Sequence, residues 1–380
     1  MSGIIQSLLA SLAAEDSYKL YSWGYNYRGN LGLGNVTRTF NSPVQVGSLT
    51  NWSQAGVGPT HTILIKKNNT IWSVGFNSRG QLGIGNTYSR SSPVQIGSLT
   101  NWAQAAACGT SFGNSLAVKT DNTLWAWGYN GLGQLGKNNR TNFDSPVQVG
   151  ALTDWALITA GQYSSIAVKT NNTLWAWGDN SDGQLGLSDR TNRSNPVQVG
   201  ALTDWATVFA GDRHTIAVKT NGTLWTWGSG NYGQLGSNNI TSRSSPAQVG
   251  ALTTWRSAKV SRFSSIATRT NNTLWTWGDN SAGTLGRNDR VNRSSPVQVT
   301  GTDWSAKIGS TDNGFAAIRT AGTLWTWGSN NMAGSDGGQL GLGDKVNRSS
   351  PTQVGALATW DFVSYSGNQA SWSMFAITKN

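Results

Sequence analysis

Few side chains in this 380-residue sequence are suited to covalent chemistry, and those few do not converge. The sequence has two histidines, His61 and His214, and one cysteine, Cys108. The histidines occupy the same place in a repeated motif, where Ser164 and Ser264 replace them in other copies, so we expect a structural role for them. Cys108 follows three alanines and is expected to be a small buried residue. We therefore predict that the protein is not an enzyme.

Closely spaced glycines, as in residues 131–136 with the sequence GLGQLG, superficially resemble glycine-rich phosphate-binding loops. No helix pattern follows them, and a helix N-terminus is what gives such a loop its affinity for anions. We interpret these glycines as turns. Two histidines and one cysteine are also too few for a transition-metal cluster or a disulfide framework, so we expect no metal and no cofactor.

The cations are the most regularly spaced polar side chains. One set lies at the end of the last strand of six repeat units and consists of Lys66, Lys119, Lys169, Lys219, Arg269 and Arg319. A second set lies three residues before a recurring proline and consists of Arg90, Arg193, Arg243, Arg293 and Arg348. Strand parity predicts that the two sets lie on opposite faces of the fold.

The formal net charge of +11 agrees with two interpretations of these cations. They are either solvated turn charges multiplied by the repeat, or two basic rings that contact a polyanion or an acidic protein. Aromatic residues replace the loop arginine at only two positions, Phe40 and Phe143, which is thin support for base stacking. We therefore do not expect nucleic acid to be a partner.

The elements that position these residues repeat about every 50 residues. Five nearly identical segments of the type Leu174 to Gly178 recur, with degenerate copies at 20–24 and 71–75. Each is followed by a glycine loop and by an apolar run that opens with proline, which marks a strand start. Within one unit we predict four strands: 174–178, 196–200, 205–210 and 215–219. Residues 220–223 are expected to form a type I′ hairpin turn. Four antiparallel strands per unit describe a propeller blade.

The two ends of the chain supply complementary parts of one unit. Residues 374–380 align with 165–171, and residues 18–24 continue that alignment through 172–178. The sequence therefore predicts an all-β, seven-bladed propeller over residues 17–380, closed by N- and C-terminal strands that share one blade.

Residues 177–186, with the pattern Trp-Gly-x-Asn-x-x-Gly-Gln-Leu-Gly, and the Gly-x-x-His of residues 211–214 resemble the regulator of chromosome condensation repeat. The resemblance covers residues 18–380 and recurs seven times. It implies the same seven-bladed propeller. Similar modules occur in a nuclear exchange factor for a small GTPase, in ubiquitin ligases, in a secreted β-lactamase inhibitor and in bacterial and phage proteins, so the resemblance implies no single function.

Departures from the repeat predict where a specific contact forms. Insertions occur around residues 112–114, 331–337 and 368–372, and strand parity places all three on the face that carries the long loops. We predict a binding site there, with Phe112, Met332 and Trp372 as apolar anchors. The remaining predicted contacts are Asn114, Asp336, Arg193, Arg243, Arg293 and Arg348.

Residues 1–16 lie outside the repeat and have one apolar face at helical spacing. That face is formed by Ile4, Ile5, Leu8, Leu9 and Leu12. The segment lacks the basic leading region of a signal peptide, so we interpret it as an anchor onto a partner or onto the propeller rim. No run of about 18 apolar residues occurs, so we expect no membrane span.

Three functions remain open on these observations. The favoured one is a virion component of a tailed phage, in the tail, baseplate or capsid decoration. It would bind other virion proteins through residues 1–16, present a propeller face to a host surface glycan or protein, and be located in the virion. A carbohydrate-binding lectin or secreted protein inhibitor, located outside the cell, is the second. A guanine nucleotide exchange factor or chromatin-binding regulator is the third.

Overall fold

The structure, a computed structural model, describes residues 16–37, 39–109, 112–331, 337–364 and 372–379. These residues form 28 strands in seven four-stranded antiparallel sheets, which confirms the predicted propeller. The described ranges contain no helix, and so none with the length and apolarity that crossing a bilayer requires.

The blades are numbered here along the chain, and the strands of each are given from the first to the last in sheet order. Blade 1 contains β27 (Trp360–Val363), β28 (Ser373–Lys379), β1 (Tyr18–Tyr25) and β2 (Thr39–Gln45). Blade 2 contains β3 (Trp52–Val57), β4 (His61–Lys66), β5 (Ile71–Gly75) and β6 (Arg90–Gln95). Blade 3 contains β7 (Trp102–Cys108), β8 (Asn114–Lys119), β9 (Leu124–Gly128) and β10 (Phe143–Gln148).

The remaining blades follow the same order. Blade 4 contains β11 (Trp155–Ala160), β12 (Ser164–Lys169), β13 (Leu174–Gly178) and β14 (Arg193–Gln198). Blade 5 contains β15 (Trp205–Ala210), β16 (His214–Lys219), β17 (Leu224–Gly228) and β18 (Arg243–Gln248). Blade 6 contains β19 (Trp255–Val260), β20 (Ser264–Arg269), β21 (Leu274–Gly278) and β22 (Arg293–Val299). Blade 7 contains β23 (Trp304–Thr311), β24 (Gly314–Arg319), β25 (Leu324–Gly328) and β26 (Arg348–Gln353).

Blade 1 closes the ring in the predicted register. Strand β1 pairs with β28, with Leu20 opposite Ile377 and Trp23 opposite Met374. All four side chains are buried. The two ends of the chain therefore form the middle of one sheet, and no blade of the ring is left incomplete.

The repeat unit read from the sequence is out of phase with the blade. The predicted strands 174–178 and 196–200 belong to blade 4, whereas 205–210 and 215–219 belong to blade 5. The fourth strand of blade 4 also begins earlier than predicted, at Arg193, and the register shifts between Gly178 and Ala176. Pro196 lies at this bulge in the outermost strand rather than at a strand start, because an edge strand tolerates the missing N–H there.

The connecting hairpins also differ from the predicted type I′ turn. In the turn after β16, only Gly222 has a positive φ, of 74°, and its N–H donates to the carbonyl of Lys219 at 2.9 Å. Asn221 keeps a negative φ and accepts hydrogen bonds from the N–H and hydroxyl of Thr223. The loop is therefore a type I turn followed by one left-handed residue, which is the common three-residue hairpin.

Tryptophans join six of the seven blades to the preceding blade, and Val74 stands at the equivalent position of blade 2. Trp177 is fully buried, and its Nε1–H donates to the carbonyl of Gln134 in the preceding blade at 2.9 Å. Its ring also meets Trp155 edge to face, with centroids 6.1 Å apart. Equivalent bonds to the preceding blade come from Trp23, Trp127, Trp227, Trp277 and Trp327. The core thus lies between sheets, as the paired tryptophans of the repeat predict.

The first strand of each blade faces the propeller axis. Residues of β3, β7, β11, β15, β19 and β27 line one central cavity. Because the strands are antiparallel, the two ends of the channel carry different connections. The hairpin face carries the tight turns such as residues 170–173. The long-loop face carries the first-to-second-strand loops, such as 211–213, and the long loops, such as 179–192.

Candidate protein-interaction surface

The two histidines form buried hydrogen-bonded pairs with serines. These pairs resemble the nucleophile–base pairs of enzymes, but here the histidine donates the hydrogen bond to the serine. His61 Nε2 lies 2.9 Å from Ser115 Oγ, and His214 Nε2 lies 3.1 Å from Ser265 Oγ. Each serine donates its single proton to a backbone carbonyl of a neighbouring loop. Each histidine must therefore donate from Nε2, so it cannot accept the serine proton as a general base would. Burial lowers the pKa of both imidazoles to about 3.

Cations on the hairpin face are largely used within the protein. Lys169 Nζ lies 3.3 Å from Asp154 and 4.3 Å from the ring centroid of Trp175. Lys219 and Arg319 make the same two kinds of contact in their blades. Stacking on tryptophan and pairing with carboxylates reduce the electrostatic field of these hairpin-face cations. This supports the interpretation that they are structural turn charges.

The second predicted ring lies at the outer rim of the long-loop face, where the fourth strands begin. Arg293 is paired with Asp289 at 2.9 Å and also donates to the carbonyl of Val291. Arg193 and Arg348 make the same pair with the aspartate four residues earlier. Arg243 is exposed, and Asn239 occupies the place of that aspartate. Three of these four predicted contacts are thus folded back onto their own loops.

Aromatic and arginine side chains form two successive contact clusters, which together make an arc over blades 1 to 4 of the long-loop face. This aromatic–arginine arc consists of Trp372, Tyr25, Tyr27, Arg28, Phe76, Arg79, Phe112, Tyr129 and Tyr163. In its first half, the Trp372 and Tyr25 ring centroids are 5.6 Å apart, and those of Tyr25 and Tyr27 are 6.2 Å apart. The Arg28 guanidinium lies 5.5 Å from the Tyr27 centroid and 4.4 Å from that of Phe76.

The second half of the arc repeats this arrangement. The Arg79 guanidinium lies 5.1 Å from the centroid of Phe112, which is also 5.1 Å from Tyr129. Tyr129 meets Tyr163 of the next blade edge to face at 6.5 Å. Phe112 is 39% exposed, and the described residues place no carboxylate within ion-pair distance of Arg79 or Arg28. The arc therefore offers fixed guanidinium groups and open ring faces to a partner.

Carboxylates occupy the other side of the same face. This acidic arc consists of Asp179, Asp182, Asp212, Asp279 and Asp312, on blades 4 to 7. The Asp212 side chain is fully buried beside the channel mouth, with Arg262 Nε at 3.9 Å and Arg213 Nε at 3.8 Å. Arg213 also approaches Asp182 at 3.5 Å, and Arg262 approaches Asp312 at 4.0 Å. The acidic arc itself therefore has five carboxylates facing two arginines, while the rim arginines of the same blades lie at the start of the fourth strands.

Two of the predicted apolar anchors, Phe112 and Trp372, are described, and they lie on different blades of the aromatic–arginine arc. Phe112 lies near the middle of the aromatic–arginine arc, and half-buried Trp372 lies at one end of it. Asn114 does not reach the surface: it is fully buried and accepts a hydrogen bond from Cys108 Sγ at 3.0 Å. Cys108 is also buried, as expected, and burial raises the pKa of its thiol.

The other predicted contacts lie outside the described residues. These are Met332 and Asp336, together with the anchor residues Ile4, Ile5, Leu8, Leu9 and Leu12. Within the part of the chain that is described, no three His, Cys, Asp or Glu side chains are grouped to hold a metal ion.

Several curated proteins match part of the chain. The "X-linked retinitis pigmentosa GTPase regulator" of Canis lupus familiaris is 33% identical over 133 residues, which is 34% of this chain and 13% of the relative. The human "Probable E3 ubiquitin-protein ligase HERC6" is 31% identical over 153 residues, 39% of this chain and 15% of the relative. The "Ultraviolet-B receptor UVR8" of Arabidopsis thaliana is 30% identical over 139 residues, 36% of this chain and 31% of the relative. The matched stretches thus span less than a third of each relative.

Solved structures share the fold over almost the whole chain. Human WBSCR16 superposes with a TM-score of 0.84 at 20% identity, covering 96% of this chain and 99% of that one. Prp20p from Saccharomyces cerevisiae superposes with a TM-score of 0.80 at 18% identity, covering 96% and 92%. At this identity, the likeness establishes the propeller and not the activity.

These comparisons overturn the favoured function. The chain resembles proteins named as regulators, ligases and a receptor, and none of those relatives is named as a virion protein. The predicted phage-tail role, the partnership with other virion proteins or a host glycan, and the localisation in a virion or outside the cell are therefore wrong. The sequence misled because near-identical repeats specify the fold and not the partner that the fold binds. The matches do not support a phage or bacterial type either.

Models of the "Regulator of chromosome condensation (RCC1) repeat" match the chain in seven stretches. These stretches are residues 19–65, 68–114, 121–168, 171–218, 221–267, 271–310 and 321–367. They cover most of the sequence and continue through every blade of the ring. The chain therefore belongs to the RCC1 repeat family.

Proposed function

We propose that this chain is a non-enzymatic regulator that binds a small GTPase through its long-loop face and accelerates release of the bound nucleotide. The observation that carries the proposal is the division of that face into an aromatic–arginine arc and an acidic arc. Tyrosine, tryptophan and arginine are the residues that most often dominate the energy of protein–protein interfaces. Opposite charges on one face also orient a partner as it approaches.

The named properties of relatives support a GTPase as the partner class. One curated relative is named a GTPase regulator, and the yeast Prp20p structure is described together with its binding to Gsp1p and histones. Both proteins share the propeller repeat with this chain, but neither likeness transfers a residue-level role. The partner class is therefore proposed from the combination of family and surface chemistry.

The long-loop face would act by stabilising one state of the partner. Binding changes nucleotide affinity only when the two forms of the GTPase bind the propeller with different free energies. Carboxylates such as Asp182 and Asp279 would disfavour a nearby phosphate through like-charge repulsion. The propeller would consequently bind the nucleotide-free GTPase more tightly than the loaded one.

No covalent chemistry is required of this chain. In its serine–histidine pairs the serine proton is donated to a backbone carbonyl and not to the histidine, as a nucleophile's proton would be. Both imidazoles are also buried. The HERC6 relative is named a ligase, but the matched stretch is only 15% of that protein. We therefore assign binding, and not ligase activity, to the propeller.

The test measures loss of fluorescent GDP from a panel of purified small GTPases, with and without the full chain. A cognate GTPase should release nucleotide at least tenfold faster with the wild-type protein. Arg79→Ala and Phe112→Ala should lose most of that acceleration, because they remove a fixed guanidinium and its aromatic support.

Leu202→Ala is the matched control. Leu202 is also an exposed apolar residue, 46% accessible, but it lies in the turn between blades 4 and 5 on the hairpin face. Its replacement should leave the exchange rate unchanged. The proposal is wrong if no GTPase binds or responds, or if Leu202→Ala reduces exchange as strongly as Phe112→Ala does.

A further inference from the structure

Grooves open on the outer side of the propeller, where the fourth strand of one blade meets the next blade. Such grooves lie between blades 7 and 1, 1 and 2, 2 and 3, and 3 and 4. The one between blades 1 and 2, here called the Phe40 groove, has a volume of about 430 Å³. Its apolar lining includes Leu33, Phe40, Val44, Leu49, Trp52 and Trp72. Because Leu49 at its edge is 45% exposed, the groove leaves apolar surface uncovered.

The residue at position 40 makes this groove more apolar than its equivalents. Three residues before the recurring proline, the groove between blades 2 and 3 carries Arg90, and the groove between blades 7 and 1 carries Arg348. Phe143 of blade 3 is the other aromatic copy. The same fold thus accepts arginine or phenylalanine at this position, so folding alone does not require Phe40.

The described part of the chain begins at the edge of the Phe40 groove. The N–H of Tyr18 donates to the carbonyl of Thr50 at 2.7 Å, and Thr50 directly follows Leu49. Tyr18 is half-buried and packs against the apolar cluster that contains Trp52. Lys67 Nζ of blade 2 lies 3.7 Å from the Tyr18 ring centroid. Residues 1–15 are therefore attached to the propeller beside this groove and not beside its equivalents.

The composition of residues 1–15 complements the surroundings of the groove. The apolar face predicted above includes Leu8, Leu9 and Leu12, and Glu15 is the one charged side chain among these residues. The neighbouring Asp16 already pairs with Lys379 at 2.8 Å, so the acidic end of the segment lies among cations. Leu12 is six residues from Tyr18, which an extended chain spans in up to about 20 Å, so the apolar face can reach the groove.

We propose that residues 1–15 dock onto the outer side of the propeller and bury the side chains of Leu8, Leu9 and Leu12 in the Phe40 groove. Covalent attachment beside the groove gives this segment a high effective concentration, which favours it over a second copy of the chain. No residue of the two arcs lines the groove. The proposal therefore does not depend on the GTPase assignment.

Photocrosslinking of the full chain tests this contact. The photoreactive amino acid p-benzoylphenylalanine is incorporated at Leu9 in one protein and at Ala10, outside the apolar face, in another. After irradiation, the monomer is digested and the crosslinked peptides are identified by mass spectrometry. The probe at Leu9 should react mainly with residues that line the Phe40 groove, at least fivefold more than the probe at Ala10 does, because the two positions differ by about 100° around a helix.

A matched pair of variants identifies the groove. Phe40→Arg installs the residue that the equivalent grooves carry, and it should lower crosslinking from Leu9 at least fivefold, because docking would bury an unpaired guanidinium. Phe143→Arg makes the same change in blade 3 and should leave the crosslinking yield unchanged. Thermal melts confirm that both variants are folded.

The proposal is overturned by any of three results. The first is that the probe at Leu9 gives no crosslink to the Phe40 groove. The second is that its main product joins two copies of the chain or lies in another groove. The third is that Phe40→Arg and Phe143→Arg lower the yield equally.

Discussion

Leu20 stands directly opposite Ile377 in the register that joins β1 to β28, and both side chains are buried between blades. The first and last strands are thus held by the same kind of interface that joins every other pair of strands in a blade. Trp23 continues this interface, because its Nε1–H donates to the carbonyl of Gln339 in blade 7 at 3.0 Å. The ring is therefore closed by the same strand pairing and tryptophan hydrogen bond that the repeat uses elsewhere.

Because the closing blade contact resembles the internal ones, equivalent substitutions at the two places should lower the free energy of unfolding equally. Trp23→Ala and Trp177→Ala remove the same ring from a closing and an internal blade contact, and each should lower the free energy of unfolding by about 3–5 kcal/mol. Urea denaturation measures both. A much smaller loss for Trp23→Ala would show that the ring is open at blade 1.

Two glycines with similar backbone angles should respond differently to alanine. Gly186 has a φ of +75°, and an added Cβ would meet Trp227 Nε1 at 2.8 Å. Gly200 has a φ of +60° but has nothing within 4 Å of that position. Gly200→Ala should therefore cost about 1–2 kcal/mol from backbone strain alone. Gly186→Ala should cost more, and equal losses in thermal unfolding would contradict this reasoning.

The buried histidines predict a loss of stability in acid. Their folded pKa of about 3 lies below the unfolded value of 6.5, so the unfolded state binds more protons between these limits. Stability is complete above pH 6.5 and falls by about 1.4 kcal/mol per pH unit for each histidine as the pH drops towards 3. At pH 4.5 each histidine should lower the free energy of unfolding by roughly 3 kcal/mol.

The control for this pH dependence is His214→Ser, which installs the residue that blade 6 carries at Ser264. The variant should lose one of the two histidine contributions to the acid slope, whatever its stability at pH 7.5. Chemical denaturation at pH 4.5 and 7.5 measures the difference. An unchanged slope would mean that His214 is not buried in the neutral form.

Arginines of the rim and of the arc should differ in their effect on partner binding. Arg193 is paired with Asp189 and donates to the carbonyl of Thr191, so Arg193→Ala should change the affinity less than threefold. Arg79 is supported by the ring of Phe112, and Arg79→Ala should weaken binding by about 2 kcal/mol, or roughly 30-fold. Calorimetric titration of both variants with the same GTPase checks the contrast.

The sequence predicts the fold well because its signals are repeated. Seven copies of one strand pattern specify the blade, and the alignment of residues 374–380 with 165–171 specifies ring closure, which the pairing of β1 with β28 confirms. Local details are less predictable. Pro196 marks a bulge and not a strand start, and Asn221 adopts an ordinary negative φ, because pairing of the flanking strands overrides the preference of single residues.

The candidate surface is harder to predict, because an insertion disrupts the repeat in a single copy, whereas a substitution within a regular copy shows only when all copies are aligned. Phe112 follows from an insertion, but Arg79 and Tyr129 do not. The residue after the Trp-Gly pair, or after Val74-Gly75 in blade 2, is aromatic in three consecutive blades, at Tyr25, Phe76 and Tyr129, and aspartate or serine in the next four. Reading that position copy by copy would have indicated the arc. Cation–π partners from different blades, such as Arg79 and Phe112, require the fold.

The affinity of the chain for a small GTPase in its nucleotide-free and GDP-bound forms tests the proposed exchange activity most directly, measured by calorimetry for wild type, Phe112→Ala and Leu202→Ala. We predict at least tenfold tighter binding to the nucleotide-free form, lost in Phe112→Ala and retained in Leu202→Ala. Equal affinity for the two forms, or a preference that survives Phe112→Ala, would contradict it.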